Sequence, residues 1–498
     1  MPKNACLRAL AAITATALAT TAVACASASG EAHDEGVAST DEALASSPAA
    51  LAGPVDLIAV GSLSGIARDR STETSAPLEN GAPGNLLGGL GSGIAYAGCD
   101  TFLAVPDRGP NAIPYNAGVD DTTSYIARFQ TLTLRLPRAS AAPGTGLPFD
   151  LAPRLARTTL LSSRTPLAYG TGADVGLASG APALDTRHAH YFTGRSDNFD
   201  PAAVSTSDGN GRLDPEGVRV SRDGERVYVS DEYGPFVYEF DRETGRRLRA
   251  FALPEGFAIR TLSPKGDVEI ASNTEGRVTN KGMEGLAITP DGRTLVGAMQ
   301  SPLIQDGGTS ARFTRIVTID IRSGAVTQHA YELTNIGTAA KPKYPTISEI
   351  VAIDDHQMLV DERDGKGLGD GSVAVSKKLY RIDLAGAADV SALRGEANLA
   401  GKAVAKTLFL DVVAALVAHG WAPADIPAKL EGLAFGPDVF MGGARRHTLY
   451  VTNDNDFVGS VTDALHPDGI DNPNRFFVFA IDPAALPGLG GSRASALD

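Results

Sequence analysis

The sequence predicts an all-β protein, a β-propeller built of four-stranded antiparallel blades. Three observations carry that prediction. A short phrase recurs at four separated places, each time with a glutamate at the head of an apolar strand: Glu216-Gly-Val-Arg-Val, Glu284-Gly-Leu-Ala-Ile, Glu349-Ile-Val-Ala-Ile and Glu431-Gly-Leu-Ala-Phe. Two related phrases, Ser64-Gly-Ile-Ala and Ser92-Gly-Ile-Ala-Tyr, carry serine in that position. Recurrence at intervals of tens of residues, with strand patterning inside each unit, is how a radial repeat reads. Asp-Gly and Thr-Gly dipeptides between alternating apolar runs mark hairpins. Gly 55 and Pro 30, against one Trp and 43% apolar content, favour many turns and short strands over long helices.

In chain order, residues 1–24 read as an export signal: Lys3 and Arg8 precede a short apolar run that ends in small residues. Cleavage directly before Cys25 would make the protein a lipoprotein at the periplasmic face or cell surface. Cleavage at an Ala-x-Ala site would make it simply secreted. Residues 25–54, rich in Ala, Ser, Gly, Asp and Glu, read as a flexible tether, and residues 55–490 as one propeller domain.

Within that domain, residues 215–253 form the clearest blade. Val218 and Val220 alternate with polar neighbours, Asp223-Gly224 turns the chain, Val227 to Val229 return it, Phe236 to Phe240 make a third strand and residues 248–253 a fourth. The plan repeats over 286–333, from 347 to 384, and from 430 to 481. Residues 55–137 supply at least one further blade and 151–165 add strands to another, so six blades are expected, with five as the alternative. Residues 166–213 are a long insertion rich in Gly, Asp and Ser. Residues 401–420 carry apolar residues at helix-like spacing before Gly420 and Pro423, which predicts one inserted helix.

Removing the signal takes the formal charge from −14 to −16. Such acidity excludes a nucleic-acid partner and suits a cation. Cys6 leaves with the signal and Cys25 is lipidated or in the tail, which leaves Cys99 alone and predicts no intramolecular disulfide framework. No G-x-S-x-G, G-x-x-x-x-G-K or G-x-G-x-x-G occurs, so a hydrolase elbow, a P-loop and a dinucleotide fold have no support.

Parity places each repeated glutamate on the side of its strand's apolar residues, where a charge is costly unless paired, hydrogen-bonded or metal-bound. One such acid is commonly a structural pin between blades. Four in register on innermost strands would instead converge on one channel mouth, and a ring of carboxylate oxygens suits Ca²⁺. Strand two of each hairpin ends at that level with Asp107-Arg108, Asp231-Glu232, Gln300-Ser301, the run Asp361 to Asp364, and the run Asn453 to Asp456. The expected metal ligands are therefore Glu216, Glu284, Glu349 and Glu431 with Asp107, Asp231 and Asp361. Arg108 and Arg363 would grip a phosphate, and Glu232 would orient the attacking water. Two weaker signals are Asp208 to Asp214, with alternating oxygen ligands, and the pair His188 and His190.

Met283-Glu-Gly-Leu-Ala-Ile-Thr-Pro-Asp-Gly, Asp214-Pro-Glu-Gly with Ser230-Asp-Glu-Tyr-Gly, Val105-Pro-Asp-Arg-Gly and Lys429-Leu-Glu-Gly-Leu-Ala-Phe resemble the bacterial phytase-like domain, described as having esterase-like activity of phytase. The resemblance covers residues 57–482 and implies an exported propeller and phosphoester hydrolysis, with no agreed catalytic set to carry over. The residues and the resemblance together suggest a monomeric, calcium-dependent phosphoester hydrolase acting on a small phosphorylated substrate, with membrane contact only through a lipid on Cys25. A calcium-dependent lactonase or carboxylesterase is the alternative within enzymes. A surface-tethered binding or scaffold propeller is the alternative outside them.

Overall fold

The computed structural model describes residues 53–113, 116, 118–139 and 146–490. The expected signal segment, Cys25 and nearly all of the expected tether lie outside the described residues. Within them, no helix is long and apolar enough to cross a membrane.

Among the described residues, five four-stranded antiparallel sheets form the blades. The first is Gly93–Tyr96, Thr101–Val105, Arg128–Thr133 and Arg154–Leu160. The second is Pro215–Val220, Arg226–Asp231, Phe236–Asp241 and Arg247–Ala252. The third is Met283–Ile288, Thr294–Met299, Phe313–Asp320 and Val326–Glu332. The fourth is Thr346–Ala352, Gln357–Arg363, Lys377–Asp383 and Lys406–Asp411. The fifth takes Lys429–Met441, Ala444–Asp454 and Asn474–Ile481 from the end of the chain and Val55–Leu63 from its beginning. The leading strand of each blade packs on the leading strand of the next, and that of the fifth packs on that of the first, which closes the ring.

The expected six blades are thus five. Arg154–Leu160 is the outer strand of the first blade, paired to Arg128–Thr133. Val55–Leu63 runs antiparallel to Asn474–Ile481, with Val55 opposite Ile481 and Leu63 opposite Asn474. Strands that looked like remnants of a sixth blade complete their neighbours, because an outer strand carries no copy of the repeated phrase. The expected helix is also shorter than its pattern. Lys406–Asp411 pairs with Lys377–Asp383, and only Val412–Ala418 is helical, capped by Asp411 accepting from the Ala414 N–H at 3.0 Å. Leu408, Leu410 and Val412 fit alternation as well as they fit a helix. Cys99 is disulfide-bonded, which corrects the expectation that it stands alone.

The core lies between blades. Leu433 and Phe435 of the fifth blade pack with Val351, Leu359 and Leu379 of the fourth, and Phe102 of the first meets Tyr450 of the fifth at 4.6 Å between ring centroids. The leading strands approach so closely that a side chain is excluded at some points. A Cβ on Gly285 would lie 2.9 Å from the Glu349 carbonyl carbon and from the Ile350 nitrogen. Gly285→Ala is therefore expected to destabilise by about 1–3 kcal/mol through overpacking against backbone, read as a lower urea midpoint at unchanged slope.

Arg219 and Glu349 occupy the axis. Arg219 is 5% exposed and donates to the carbonyls of Ile94 at 2.8 Å, Ile350 at 2.8 Å and Leu433 at 3.4 Å, and to its own strand at Val218. Glu349, fully buried, accepts from the Leu286 N–H at 2.9 Å and the Ile350 N–H at 3.0 Å. The two charges meet at 3.0 Å. One ion pair therefore ties the leading strands of all five blades, and it supplies donors and acceptors for backbone groups that five converging strands leave unpaired.

Candidate metal and anion site at the channel mouth

The repeated glutamate sits at a β-bulge. Met283 faces Met299 and Leu286 faces Gly297, so three steps on the leading strand match two on its partner, and Glu284 is the unpaired residue. The same offset separates Pro215 and Val218 from Asp231 and Val229, and Leu430 and Leu433 from Asn453 and Val451. A bulge re-aims a side chain and breaks alternation below it, so the parity expected from the sequence does not govern these acids.

In the fourth blade the ladder runs from Ile347 opposite Glu362 to Glu349 opposite Asp361, which makes Ser348 the extra residue. Ser348 thus holds the position of Glu284, and Glu349 lies one residue further along, at the level of Gly285. The expected alignment of Glu349 with the other acids was off by one residue, and the slip sends its carboxylate to Arg219. By register, the bulge positions of the second to fifth blades are Glu216, Glu284, Ser348 and Glu431, whereas the leading pair of the first blade, from Gly93 opposite Val105, runs without a shift. At the ends of the second strands, Arg363 stands opposite Thr346 and Asp454 opposite Lys429, and the ladders continue to Asp107 opposite Gly91, Glu232 opposite Asp214 and Gln300 opposite Gly282, one level above the bulges.

These two tiers bring carboxylates together. Glu216, Glu284 and Glu431 each offer an oxygen within 4.8 Å of the others, and so do Asp214, Glu216 and Glu232, and Asp107, Asp454 and Asp456. Glu216 belongs to two of these groups. Among the described residues nothing donates to its side chain or pairs with it, although it is 7% exposed. Glu232 Oε1 and Glu284 Oε2 are buried without a hydrogen-bond partner, and so is Ser348 Oγ.

Three cations stand among these acids. Arg363 pairs with Glu431 and lies 3.8 Å from Glu284. Lys429 pairs with Asp454, with Asp456 at 2.8 Å and with Glu431 at 3.9 Å. Arg108 binds Asp214 through its backbone N–H at 3.0 Å and its guanidinium at 3.1 Å. Eight carboxylates outnumber them, and the electrostatics follow. Burial and then Glu284 push Glu216 well above the carboxylate range, and burial followed by Glu232 and Glu431 does the same to Glu284. Burial raises Asp214 to about 6 against the pull of Arg108, and Asp454 to about 7 against that of Lys429.

The other expected ligands serve elsewhere in the geometry. Asp231 accepts the backbone N–H groups of Asp214 at 3.1 Å and Tyr233 at 3.0 Å and so shapes the turn that carries Glu232. Burial lifts Asp231 to about 7 in spite of those donors. Asp361 is buried at the level of Glu349 and belongs to none of the three carboxylate groups. The long insertion reaches the rim, where Tyr233 donates to the Gly194 carbonyl at 2.7 Å and Arg212 stacks on Tyr233 and Phe199 at 4.9 Å. The oxygen ligands of 208–214 disperse: Asn210 bonds the backbone of Asp200 and Val204, and Asp214 turns to Arg108. His190 meets Asp185 at 3.3 Å, and His188 is exposed.

Sequence reasoning gave no role to Lys429, Ser348 or Arg219, and it saw Asp214 in a weak loop signal and in a family motif but not as a site residue. A signal for two of them exists. Asp214 and Lys429 each stand two residues before a repeated glutamate, the position held in the other blades by Gly91, Gly282 and Thr346.

The donor set passes a geometric test for a hard cation. Oxygens bound to one Ca²⁺ at about 2.3–2.6 Å lie no more than about 5 Å apart, which the 4.8 Å groups satisfy. The ligands are all oxygens, as Ca²⁺ prefers, with no histidine or cysteine among them.

An uncharacterized secreted protein of Arthroderma benhamiae is 32% identical over 287 residues, covering 50% of this chain and 52% of that protein, so the chain spans about half the length of that relative. Among solved structures, the Pseudomonas aeruginosa periplasmic gluconolactonase matches at TM-score 0.29 and 11% identity over 78% of this chain and 88% of that one. The PQQ-bound aldose sugar dehydrogenase of Streptomyces coelicolor matches at TM-score 0.27 and 11% identity, over 87% and 95%. Likenesses this remote carry no function. The model of the phytase-like family, described as esterase-like activity of phytase, matches residues 85–457, a span that contains the leading strand of every blade and every mouth residue named above, and the chain belongs to that family.

Proposed function

We propose that the protein is an exported, divalent-cation-dependent hydrolase of phosphoesters, with Ca²⁺ the cation the donor set suits best and the channel mouth its site. One observation carries the reading: Glu216, Glu284 and Glu431 are brought from three blades to within 4.8 Å, and Glu216 has no donor among the described residues. Buried carboxylates held together without compensation are costly and become favourable when they share a cation. Family membership supports the substrate class. A secreted relative supports export, as do Lys3, Arg8 and the apolar run behind them.

Bound there, a divalent cation supplies Lewis-acid stabilisation of charge on a phosphoryl oxygen and lowers the proton affinity of a water. The chain's own groups do the rest. Arg108, with 18% of its side chain exposed, turns the donors left over from Asp214 to the phosphate, and Arg363 does so from the side of Glu431. Both stabilise the charge that builds on the transferred group. Glu232, which pairs with no cation among the described residues, takes the proton of the attacking water through one of its two oxygens. Asp231 holds Glu232 in place through its two backbone bonds.

Glu284→Gln keeps the shape and removes one charge. Purified protein carrying it is expected to keep its circular dichroism, bind less calcium than the natural protein and lose about 100-fold in aryl phosphate hydrolysis, the scale of removing one transition-state contact. Unchanged turnover would remove Glu284 from the site. Turnover of lactones or carboxylesters in place of phosphates would reassign the substrate class.

A further inference from the structure

We infer that the mouth takes two divalent cations bridged by Glu216, and that its third carboxylate group is already filled by the ammonium of Lys429. The inference rests on the cation reading above and specifies it.

The three groups differ in how their oxygens are satisfied. Around Lys429 every acid has a partner: Asp107 accepts from the Gly109 N–H at 2.9 Å, Asp454 takes the lysine and the Asp456 N–H at 2.7 Å, and Asp456 takes the lysine at 2.8 Å. No oxygen of this group is buried without a partner among the described residues. The lysine does there what a bound cation would do, and a second charge would have to displace it.

The other two groups are short of donors. Glu232, 1% exposed, leaves Oε1 without a partner in the group it forms with Asp214 and Glu216. Glu284, 3% exposed, leaves Oε2 without one in the group it forms with Glu216 and Glu431. Ser348, fully buried at the bulge of the fourth blade, holds an unpartnered hydroxyl at the level of the bulge glutamates and is no acid itself. Asp214 already serves Arg108, yet a carboxylate has about four lone-pair sites and accepts a further partner. Glu216 is common to both groups and has two carboxylate oxygens with which to serve them. Glu232 likewise keeps one oxygen for an ion and one for the water proton.

The repeat explains why the groups differ. Two residues before the bulge glutamate, the second blade has Asp214 and the fifth has Lys429. One position thus adds a ligand on one side of the mouth and a built-in cation on the other.

The test counts calcium bound to the intact protein by titration calorimetry, with terbium luminescence as a second readout. The expected count is two for the natural protein, one for Glu232→Gln and three for Lys429→Met. Because Lys429→Met leaves buried acids uncompensated and risks misfolding, Asp456→Asn is run beside it, with an expected count of two. A count of one or three in the natural protein overturns the bridged pair while leaving a cation at the mouth. A fall below two in Asp456→Asn places an ion where Lys429 is assigned, and Lys429→Met folded with a count of two removes the lysine's role. A count of zero removes the cation reading itself.

Discussion

Arg219→Leu is expected to destabilise the protein by about 3–5 kcal/mol, the cost of leaving one member of a buried ion pair without its partner. Two effects combine in this variant. Glu349 stays buried without its counter-charge, at a place where burial already pushes it up to about 7. The carbonyls of Ile94, Ile350 and Leu433 also lose their donor, and unsatisfied buried backbone groups are costly. The double variant Arg219→Leu with Glu349→Leu removes both charges and is expected to recover a large part of the loss. Urea unfolding of the three proteins decides this: a double variant as unstable as Arg219→Leu would show that the damage is packing, not an orphaned charge. Glu349→Gln alone is expected to leave the calcium count unchanged, because Glu349 serves the axis and not the mouth.

Calcium is expected to reverse the pH dependence of stability. Burial raises Asp214 to about 6, and Asp231, Asp454 and Glu349 to about 7. An acid whose folded pKa lies above its unfolded value of about 4 stabilises the fold while protonated. That stability is complete below about pH 4 and is lost as pH rises through about 7. One carboxyl moved from about 4 to about 7 disfavours its ionised form by about 4 kcal/mol. Among the proposed ligands Asp214 is held at about 6 and Glu216 and Glu284 well above the carboxylate range; calcium binds only their ionised forms, so its stabilisation grows as pH rises. The ion-free protein should therefore melt at a lower temperature at pH 8 than at pH 5, and saturating calcium should abolish or invert the difference. A melting temperature that ignores pH without calcium, or a slope that calcium leaves unaltered, would contradict the coupling of Asp214, Glu216 and Glu284 to an ion.

Much of this was legible in the chain because the repeated phrase serves two physical needs at once. The acid at the bulge aims a carboxylate at the mouth, and the glycine after it lets leading strands touch, as at Gly217, where a Cβ would lie 2.5 Å from that of Leu286. The second blade was readable strand by strand because each of its turns carries its own glycine signal. Strands without a local signal were lost. Val55–Leu63 pairs with residues more than four hundred positions away, and no periodicity reports a partner at that distance. Lys406–Asp411 leads straight into a helix, and its alternation merges with the helical spacing of Val412 and Leu416.

At the mouth, Glu216, Glu284 and Glu431 were legible as one set because the phrase around each is alike. Glu349 was misassigned because a bulge adds one residue without marking itself in the sequence, and Ser348 is too ordinary a residue to announce that it holds the acid's position. Lys429 and Asp214 needed the three-dimensional register before their equivalence had meaning.

The most direct measurement is hydrolysis of an aryl phosphate by the intact protein, stripped of metal with a chelator and then titrated with calcium, with Glu216→Gln carried in parallel. Turnover should be lost on stripping, return with calcium and stay absent in the variant, since Glu216 belongs to both carboxylate groups that lack donors. Turnover that survives chelation, or that is unchanged in Glu216→Gln, would show that the carboxylates of the mouth do not hold a working cation.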